Sequence, residues 1–435
     1  MKRQFILFFL FVFPFALQAD RYTDMAAKHL EWVKAGQADS LLAHADAQLR
    51  AVLPASSIRT IWGQLTAQTG ALKNQHEWKR EHKDGLELVT CLLKFEKARV
   101  DYRAVFNAQG QLSGISFTPA PLTASPNMQP EVPVKPLPDD VKEQDFTIKH
   151  NGVSLPGKLM MPCKTQAQTQ WPVVILVHGS GPQDMDETLG PNKPFRDLAI
   201  ALAQRGIATV RYDKRTKVYA QRTAEVSKGI LNYDTETVDD ALQALRQAAR
   251  LPQIDTDRIY VLGHSMGGTL MPRIALRSEL KIAGLIGMAA AARPFDEMLY
   301  DQVKYLSIHA GLSADSAAAR ARSFVKQMTD VFPPEYKAMQ KSYDPLQAVK
   351  KLKNKPMLFL QGTHDYQVTE ADLELWRQAV SNNPHVQMVL LTGLDHLMRE
   401  LPAMATPDDY AQPSEMDKSV IDMIAHFVHT KGKNS

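Results

Sequence analysis

Cysteine is nearly missing: Cys91 and Cys163 are the whole supply in 435 residues, which excludes a disulfide-built scaffold. The two fall in different predicted domains. One bridge in an oxidising compartment and two separate buried thiols both fit, and the second needs nothing further. Metal-ligand spacings are missing as well, with no paired His/Cys motif and no HExxH helix, and neither a G-x-G-x-x-G nor a Walker loop is present to cradle phosphate. The chemistry reads as free of cofactor and metal. Charge is balanced, 51 Lys and Arg against 47 Asp and Glu for a net +4. No block of like charge stands out, so nucleic-acid binding has no electrostatic footprint. An apolar run long enough to cross a bilayer, about 20 residues, is also lacking.

The apolar run from Phe5 to Leu17 is shorter than that, follows Lys2-Arg3 and ends at Gln18-Ala19-Asp20. A positive start, a short apolar core and a small residue before a polar one predict a secretory signal peptide over residues 1–19, cleaved after Ala19. Leu17 is larger than the small residue favoured there, which leaves an uncleaved anchor as the alternative. No cysteine follows, so a lipid anchor is not expected. The predicted location is the periplasm or the medium, with no membrane span after signal removal.

Seven prolines between Pro119 and Pro138 mark a semi-rigid linker over 119–139. Before it, Ala26, Leu30 and Val33 share a helical face, and Ile58, Ile61, Trp62 and Leu65 share another. From about residue 74 the period becomes two: Val89, Cys91, Leu93 and Phe95 alternate with their neighbours, as do Val100, Tyr102, Ala104 and Phe106. Helices followed by an antiparallel sheet predict a small α+β domain over 22–118. The pattern resembles the cone-shaped nuclear-transport-factor-2-like modules. Its strand faces carry more apolar surface than its helices need, so self-association as a homodimer is one expectation.

Beyond the linker, the apolar run Ile259-Tyr260-Val261-Leu262 leads into Gly263-His264-Ser265-Met266-Gly267-Gly268. Strand, G-x-S-x-G and helix in that order form a nucleophile elbow, in which a sharp turn exposes the serine and leaves room only for glycine two positions either side. Ser265 is the candidate nucleophile; read alone, it would be an ordinary turn serine. Downstream, the strand Lys355–Gly362 is followed by Asp365, and the strand Val386–Leu391 by His396. The order serine, acid, histidine and the place of each after a strand's carboxyl end give Ser265, His396 as general base then acid, and Asp365 as the carboxylate that orients the imidazole. Asp395 is the competing acid, disfavoured because an adjacent residue rarely reaches its neighbour's ring nitrogen.

The strand Trp171–Val177 ends in His178-Gly179-Ser180-Gly181, a turn bare enough for a backbone N–H to approach a tetrahedral intermediate. The predicted oxyanion donors are the N–H groups of Ser180 and Met266; losing one such donor costs about 3–4 kcal/mol of transition-state stabilisation. Gly179, Gly181, Gly263 and Gly267 support the two turns. His178 and His264 flank them and read as neutral structural side chains rather than catalytic ones. Asp213 and the cations beside it read as an ion-pair cluster at a strand end, and Pro272 is expected to bend the helix after the elbow.

Residues 140–432 resemble an α/β-hydrolase of the extracytoplasmic esterase and dienelactone-hydrolase-like group. The resemblance is carried by Asn151–Gly157, the HGSG turn, Arg211-Tyr212-Asp213-Lys214-Arg215, the GHSMGG elbow, Asp365–Val368 and Gly393–His396. Relatives continue with glycine where Thr216 stands, so the path of that loop is open. The resemblance implies a mostly parallel sheet flanked by helices and hydrolysis of a small-molecule carboxylic ester through an acyl-enzyme. A serine peptidase or acyl-aminoacyl hydrolase and a silent binding protein are the alternatives; no propeller or carboxylate clamp favours the former.

An insertion over about 294–345 interrupts the strand–helix alternation. Phe295, Met298, Leu299, Val303 and Leu306 share one helical face, and Phe324, Val325, Met328, Val331 and Phe332 a second. Its position is that of a lid, with Tyr300, Tyr305 and Tyr336 as expected pocket aromatics; packing on the core alone is the other reading.

Overall fold

The structure, a computed structural model, describes residues 17–76, 78–83, 85–96, 98–119, 136–163, 170–219, 222–330 and 332–430. The predicted signal segment lies outside these up to residue 16, and so does most of the proline-rich linker. The chain divides into two compact units, Met1–Glu131 and Val132–Ser435.

In the first unit four helices, α1 (Leu17–Lys34), α2 (Ala38–Ala43), α3 (Ala47–Val52) and α4 (Ala55–Thr69), precede five strands: β1 (Leu72–Gln75), β2 (Lys79–Lys83), β3 (Leu86–Phe95), β4 (Arg99–Phe106) and β5 (Leu112–Pro119). The sheet is antiparallel, with β3 pairing β1, β2 and β4, and β4 pairing β5. Period two has its physical reason in the pleat: Val89, Cys91, Leu93 and Phe95 of β3 and Val100, Tyr102, Ala104 and Phe106 of β4 are all buried. They close on Ala26, Leu30 and Val33 of α1 and Ile58 of α4 in one core.

The second unit is built on an eight-stranded sheet. Its strands are β6 (Val141–Asp145), β9 (Gly157–Pro162), β10 (Trp171–Val177), β11 (Ala208–Tyr212), β12 (Ile254–His264), β13 (Gly284–Met288), β14 (Met357–Gly362) and β15 (Val386–Leu391), while β7 (Ile148–His150) and β8 (Val153–Leu155) form a separate hairpin. The order is β15-β14-β13-β12-β10-β11-β9-β6. Every pair from β11 to β15 is parallel, and β9 joins β11 and β6 antiparallel. This is the α/β-hydrolase fold.

Why β10 reads as an unbroken apolar run is plain from its two faces. Val173, Ile175 and Val177 pack into a core with Leu245, Ile274 and Trp376, from the helices α8 (Asp239–Ala248), α9 (Met266–Arg277) and α14 (Glu370–Ala379). Val174 and Leu176 pack on the other face against Phe195, Leu198 and Phe427, from α5 (Pro194–Ala203) and α15 (Lys418–Thr430). A strand covered on both sides has no position for a polar residue. After β10 the chain adds β11 on one side and then crosses to place β12 on the other, so the sheet's switch point lies at the carboxyl end of β10.

The remaining helices are α6 (Arg215–Val218), α7 (Thr223–Val226), then α10 (Phe295–His309), α11 (Ala314–Asp330), α12 (Pro334–Ser342) and α13 (Pro345–Lys350), the last four between β13 and β14. Helix α11 stops at Asp330 and Phe332 lies beyond it, because Pro333-Pro334 cannot continue a helix and instead opens α12. Val331 lies outside the described residues. Helix α9 runs through Pro272. Both cysteines are free; Cys91 is buried, whereas Cys163 is only half-buried, because it follows β9 at the sheet's end rather than standing within the strand.

Candidate active site

Strand β12 delivers Ser265 into a backbone conformation of φ +53° and ψ −117°, uncommon for any residue but glycine and costing of order 1–3 kcal/mol. The turn is held from both ends, by pairing of β12 with β13 and by the Ser265 N–H donating to the Met288 carbonyl at 3.0 Å. A Cβ on Gly263 would fall on the Gly267 carbonyl, and one on Gly267 would fall on the Val177 and His178 carbonyls. Both glycines are therefore set by backbone meeting backbone. Met266 begins α9, so its N–H has no partner inside the helix and sits at the positive end of the dipole.

Of the two candidate acids, Asp365 reaches the histidine. Its Oδ2 lies 2.7 Å from His396 Nδ1, and Oδ1 accepts the N–H groups of Gln367 and Val368. Asp395 instead closes its own turn, accepting the N–H groups of Leu397 and Arg399 and two hydrogen bonds from the Arg399 guanidinium. Asp365, Asp395 and His396 are all buried, so each carboxylate needs the partners it has.

At the end of β10, the Gly179 N–H donates to Glu187 Oε1 at 2.7 Å. Ser180, the next residue of the turn, lines the cavity together with Gly181, Ser265 and Met266. Gly181 has φ +85° in open space, so glycine is required there by the backbone and not by crowding. His178 is buried between Phe195 and Tyr212, with ring centroids 5.4 and 5.2 Å away, and burial pushes its pKa down to about 4. It is a neutral packing residue.

Glu187 was not legible in the sequence. It is buried, has a left-handed φ of +53°, and approaches His264 as well as Gly179. Burial works against charge on both side chains. Their mutual attraction wins, holding the Glu187 pKa below the usual carboxylate value and the His264 pKa above the usual imidazole value. Glu187 thus favours the charged form of His264, where the sequence suggests a neutral side chain.

The cations at the end of β11 and just after it form ion pairs: Arg211 with Glu143 and Asp186, Lys214 with Glu236, and Arg215 with Asp240. Where Thr216 replaces the expected glycine the chain turns into α6, and Thr216 lines the cavity.

The cavity over Ser265 measures about 890 Å³. Its roof is apolar and comes from the insertion, chiefly Phe295, Met298, Leu299, Met328 and Phe332. Tyr336 lines it too, but Tyr300 and Tyr305 do not. Tyr300 borders a separate surface groove with Arg322 and Lys326. Tyr305 stacks on Tyr366 at 5.3 Å and donates to the Ala405 carbonyl, pinning α10 beside the loop that carries Asp365. Helical spacing alone could not separate the roof face of α10 from its anchoring face. Among the described residues no group of three His, Cys, Asp or Glu side chains is arranged to hold a metal ion, and no helix is long and apolar enough to cross a membrane.

Residues 195–411 match the prolyl oligopeptidase family, and residues 26–115 match a family described as a protein of unknown function, DUF3887. Over 391 residues the chain is 34% identical to esterase EstD of Thermotoga maritima, covering 88% of this chain and 89% of that protein. A 120-residue stretch is 32% identical to the uncharacterized peptidase YuxL of Bacillus subtilis, covering 27% of this chain and 17% of that one. Among solved structures, the Pyrococcus furiosus esterase Pf2001 aligns with a TM-score of 0.42 at 16% identity, covering 67% of this chain and 92% of that one.

Proposed function

This chain belongs to the family of esterase EstD and is a serine hydrolase; on that premise we propose that it cleaves carboxylic esters outside the cytoplasm. Ser265 Oγ attacks the ester carbonyl carbon while His396 Nε2 takes its proton. The tetrahedral oxyanion accepts hydrogen bonds from the Ser180 and Met266 N–H groups. His396 then gives the proton to the departing alcohol, leaving the acyl group on Ser265. Water, deprotonated by the same imidazole, releases the acid and restores the serine. Asp365 holds the Nδ1 proton in place throughout.

The observation that carries the ester reading is the cavity's charge. Among the described residues Glu236 is the sole carboxylate that lines it, and both of its oxygens are already engaged, by Lys214 at 2.6 Å and by the Tyr336 hydroxyl at 2.7 Å. No lining carboxylate is left to receive the amino terminus of a peptide. The likeness to peptidases in the family keeps amide cleavage as the second reading. The amino-terminal leader supports export, and the first unit, with its nuclear-transport-factor-2-like pattern, serves substrate selection or self-association.

Nitrophenyl esters assayed beside aminoacyl-anilides test the substrate, and a fluorophosphonate probe tests the nucleophile. Ester turnover with labelling lost in Ser265→Ala is expected. Anilide turnover exceeding ester turnover, or undiminished labelling of Ser265→Ala, overturns the proposal.

A further inference from the structure

Lys214 is almost fully buried, yet the serine mechanism gives it no task. Its ammonium reaches the Gly179 carbonyl at 3.0 Å and Glu236 Oε1 at 2.6 Å. Its backbone N–H donates to the Gln183 carbonyl at 3.0 Å, so main chain and side chain both hold the turn after β10. Glu236 stands in a π-helical turn, Asp234–Val238, a rare conformation that is frequent at functional sites. Its second oxygen accepts the Tyr336 hydroxyl from α12 of the insertion. A buried ion pair is weak support for stability, since apolar residues of equal volume often do as well. Some other reason for it is needed.

That reason lies in the peptide unit. The Gly179 carbonyl and the Ser180 N–H belong to one planar trans peptide, in which C=O and N–H point in opposite directions. Drawing the carbonyl oxygen toward Lys214 therefore turns the Ser180 N–H the other way. The neighbouring peptide is fixed independently, because the Gly179 N–H is bound by Glu187. Without the ammonium, the Gly179 carbonyl loses the donor that draws it away from the oxyanion position, and a flipped peptide would present an acceptor where a donor is required.

We propose that Lys214 is the positioning residue for the oxyanion donor, and that Glu236 and Tyr336 make its grip depend on how the cap is seated. The proposal rests on Ser180 supplying a donor, as in the reaction above. Tyr336 and Glu236 both line the cavity, and the Tyr336 ring packs on Tyr233 and Phe332 at 5.2 and 5.0 Å. An acyl group that fills the cavity thus presses on the residues that anchor Lys214. Substrate occupancy and the aim of the donor become one equilibrium.

Lys214→Met, Glu236→Gln and Tyr336→Phe test this in the full chain, with kcat and KM for a nitrophenyl ester, the inhibition constant of a trifluoromethyl ketone, and thermal melting measured for each. The ketone forms a tetrahedral adduct whose oxyanion needs the donor. Lys214→Met is expected to lower kcat by about 10²–10³, the effect of losing one oxyanion donor, to weaken the ketone by a similar factor and to leave KM nearly unchanged. Tyr336→Phe should shift kcat and ketone binding together by about tenfold or less, the weight of one hydrogen bond. A folded Lys214→Met with undiminished ketone affinity, or a loss confined to KM, overturns the proposal. Should Lys214→Met fail to fold, Glu236→Gln and Tyr336→Phe decide, and unchanged ketone affinity in both rejects it. Ser265→Ala is the separating control: if it keeps full ester turnover, the serine reading itself has failed rather than the role of Lys214.

Discussion

Glu187 Oε2 lies 2.9 Å from His264 Nδ1, and the other nitrogen of that ring, Nε2, lies 2.9 Å from the His396 carbonyl oxygen. Nε2 is within hydrogen-bonding reach of that carbonyl, while Nδ1 stands at ion-pair distance from the carboxylate, whose attraction outweighs burial and favours the protonated ring. One buried carboxylate therefore ties together the turn after β10, the elbow and, through His264, the loop that carries His396.

Replacing Glu187 by Gln keeps an acceptor for Gly179 and removes the charge. The sign of the pH effect follows from two opposite shifts. Glu187, lowered from 4.5, stabilises the fold above that value and loses its effect as pH falls through its folded pKa. His264, raised from 6.5, stabilises below 6.5 and loses its effect as pH rises through its folded pKa. The stability gap between wild type and Glu187→Gln should be widest between pH 4.5 and 6.5 and narrow on the alkaline side. Urea unfolding from pH 4 to 9 measures it, and a gap independent of pH would refute the ion pair.

The two acids separate by function. Asp365→Asn should lower kcat by about 10⁴ with little loss of stability, since the imidazole tautomer is no longer fixed. Asp395→Asn leaves the buried Arg399 without its counter-charge and should cost about 3–5 kcal/mol of stability, with the smaller effect on turnover. Melting curves and steady-state kinetics on both variants check the ranking; the reverse order would make Asp395 the working acid.

Gly267→Ala should be among the most damaging single-methyl additions in the chain. The new Cβ meets the Val177 and His178 carbonyls, backbone at the carboxyl end of the central strand β10 that cannot give way. A loss of several kcal/mol or failure to fold is expected, at the large end of point-mutant effects. Gly181→Ala, where space is open and only the positive φ opposes a side chain, should cost about 1 kcal/mol. Equal melting points for the two would contradict the packing described.

The fragment 136–435 should fold alone and hydrolyse small activated esters. It keeps the core of the second unit, including Leu137 and Val141 packed with Met160 and Ala199, and every candidate catalytic residue. Circular dichroism, ester turnover and sedimentation of the fragment against the full chain decide it. A folded fragment without esterase activity would place the first unit in the active site, and a change from dimer to monomer would assign it self-association.

Period and spacing were enough to expose the elbow, the run of buried strands and the order serine, acid, histidine, because each is a local rule: a glycine two positions from Ser265 reports a turn, and an apolar run reports a strand covered on both faces. Local rules also define the helical faces of the insertion, but not which of them roofs the cavity, so they cannot separate Tyr300 and Tyr305 from Tyr336, although only the last lines it. Glu187, Lys214 and Glu236 carry no such signal. Each is an ordinary charged residue whose meaning depends on partners 8 to 100 positions away, Gly179 and His264 for Glu187, Glu236 and Gly179 for Lys214, and Tyr336 for Glu236. Burial decides their roles, since a charge removed from water must find its counterpart wherever the chain returns. Sequence determines which strands and turns form; only the packed sheet brings those counterparts together.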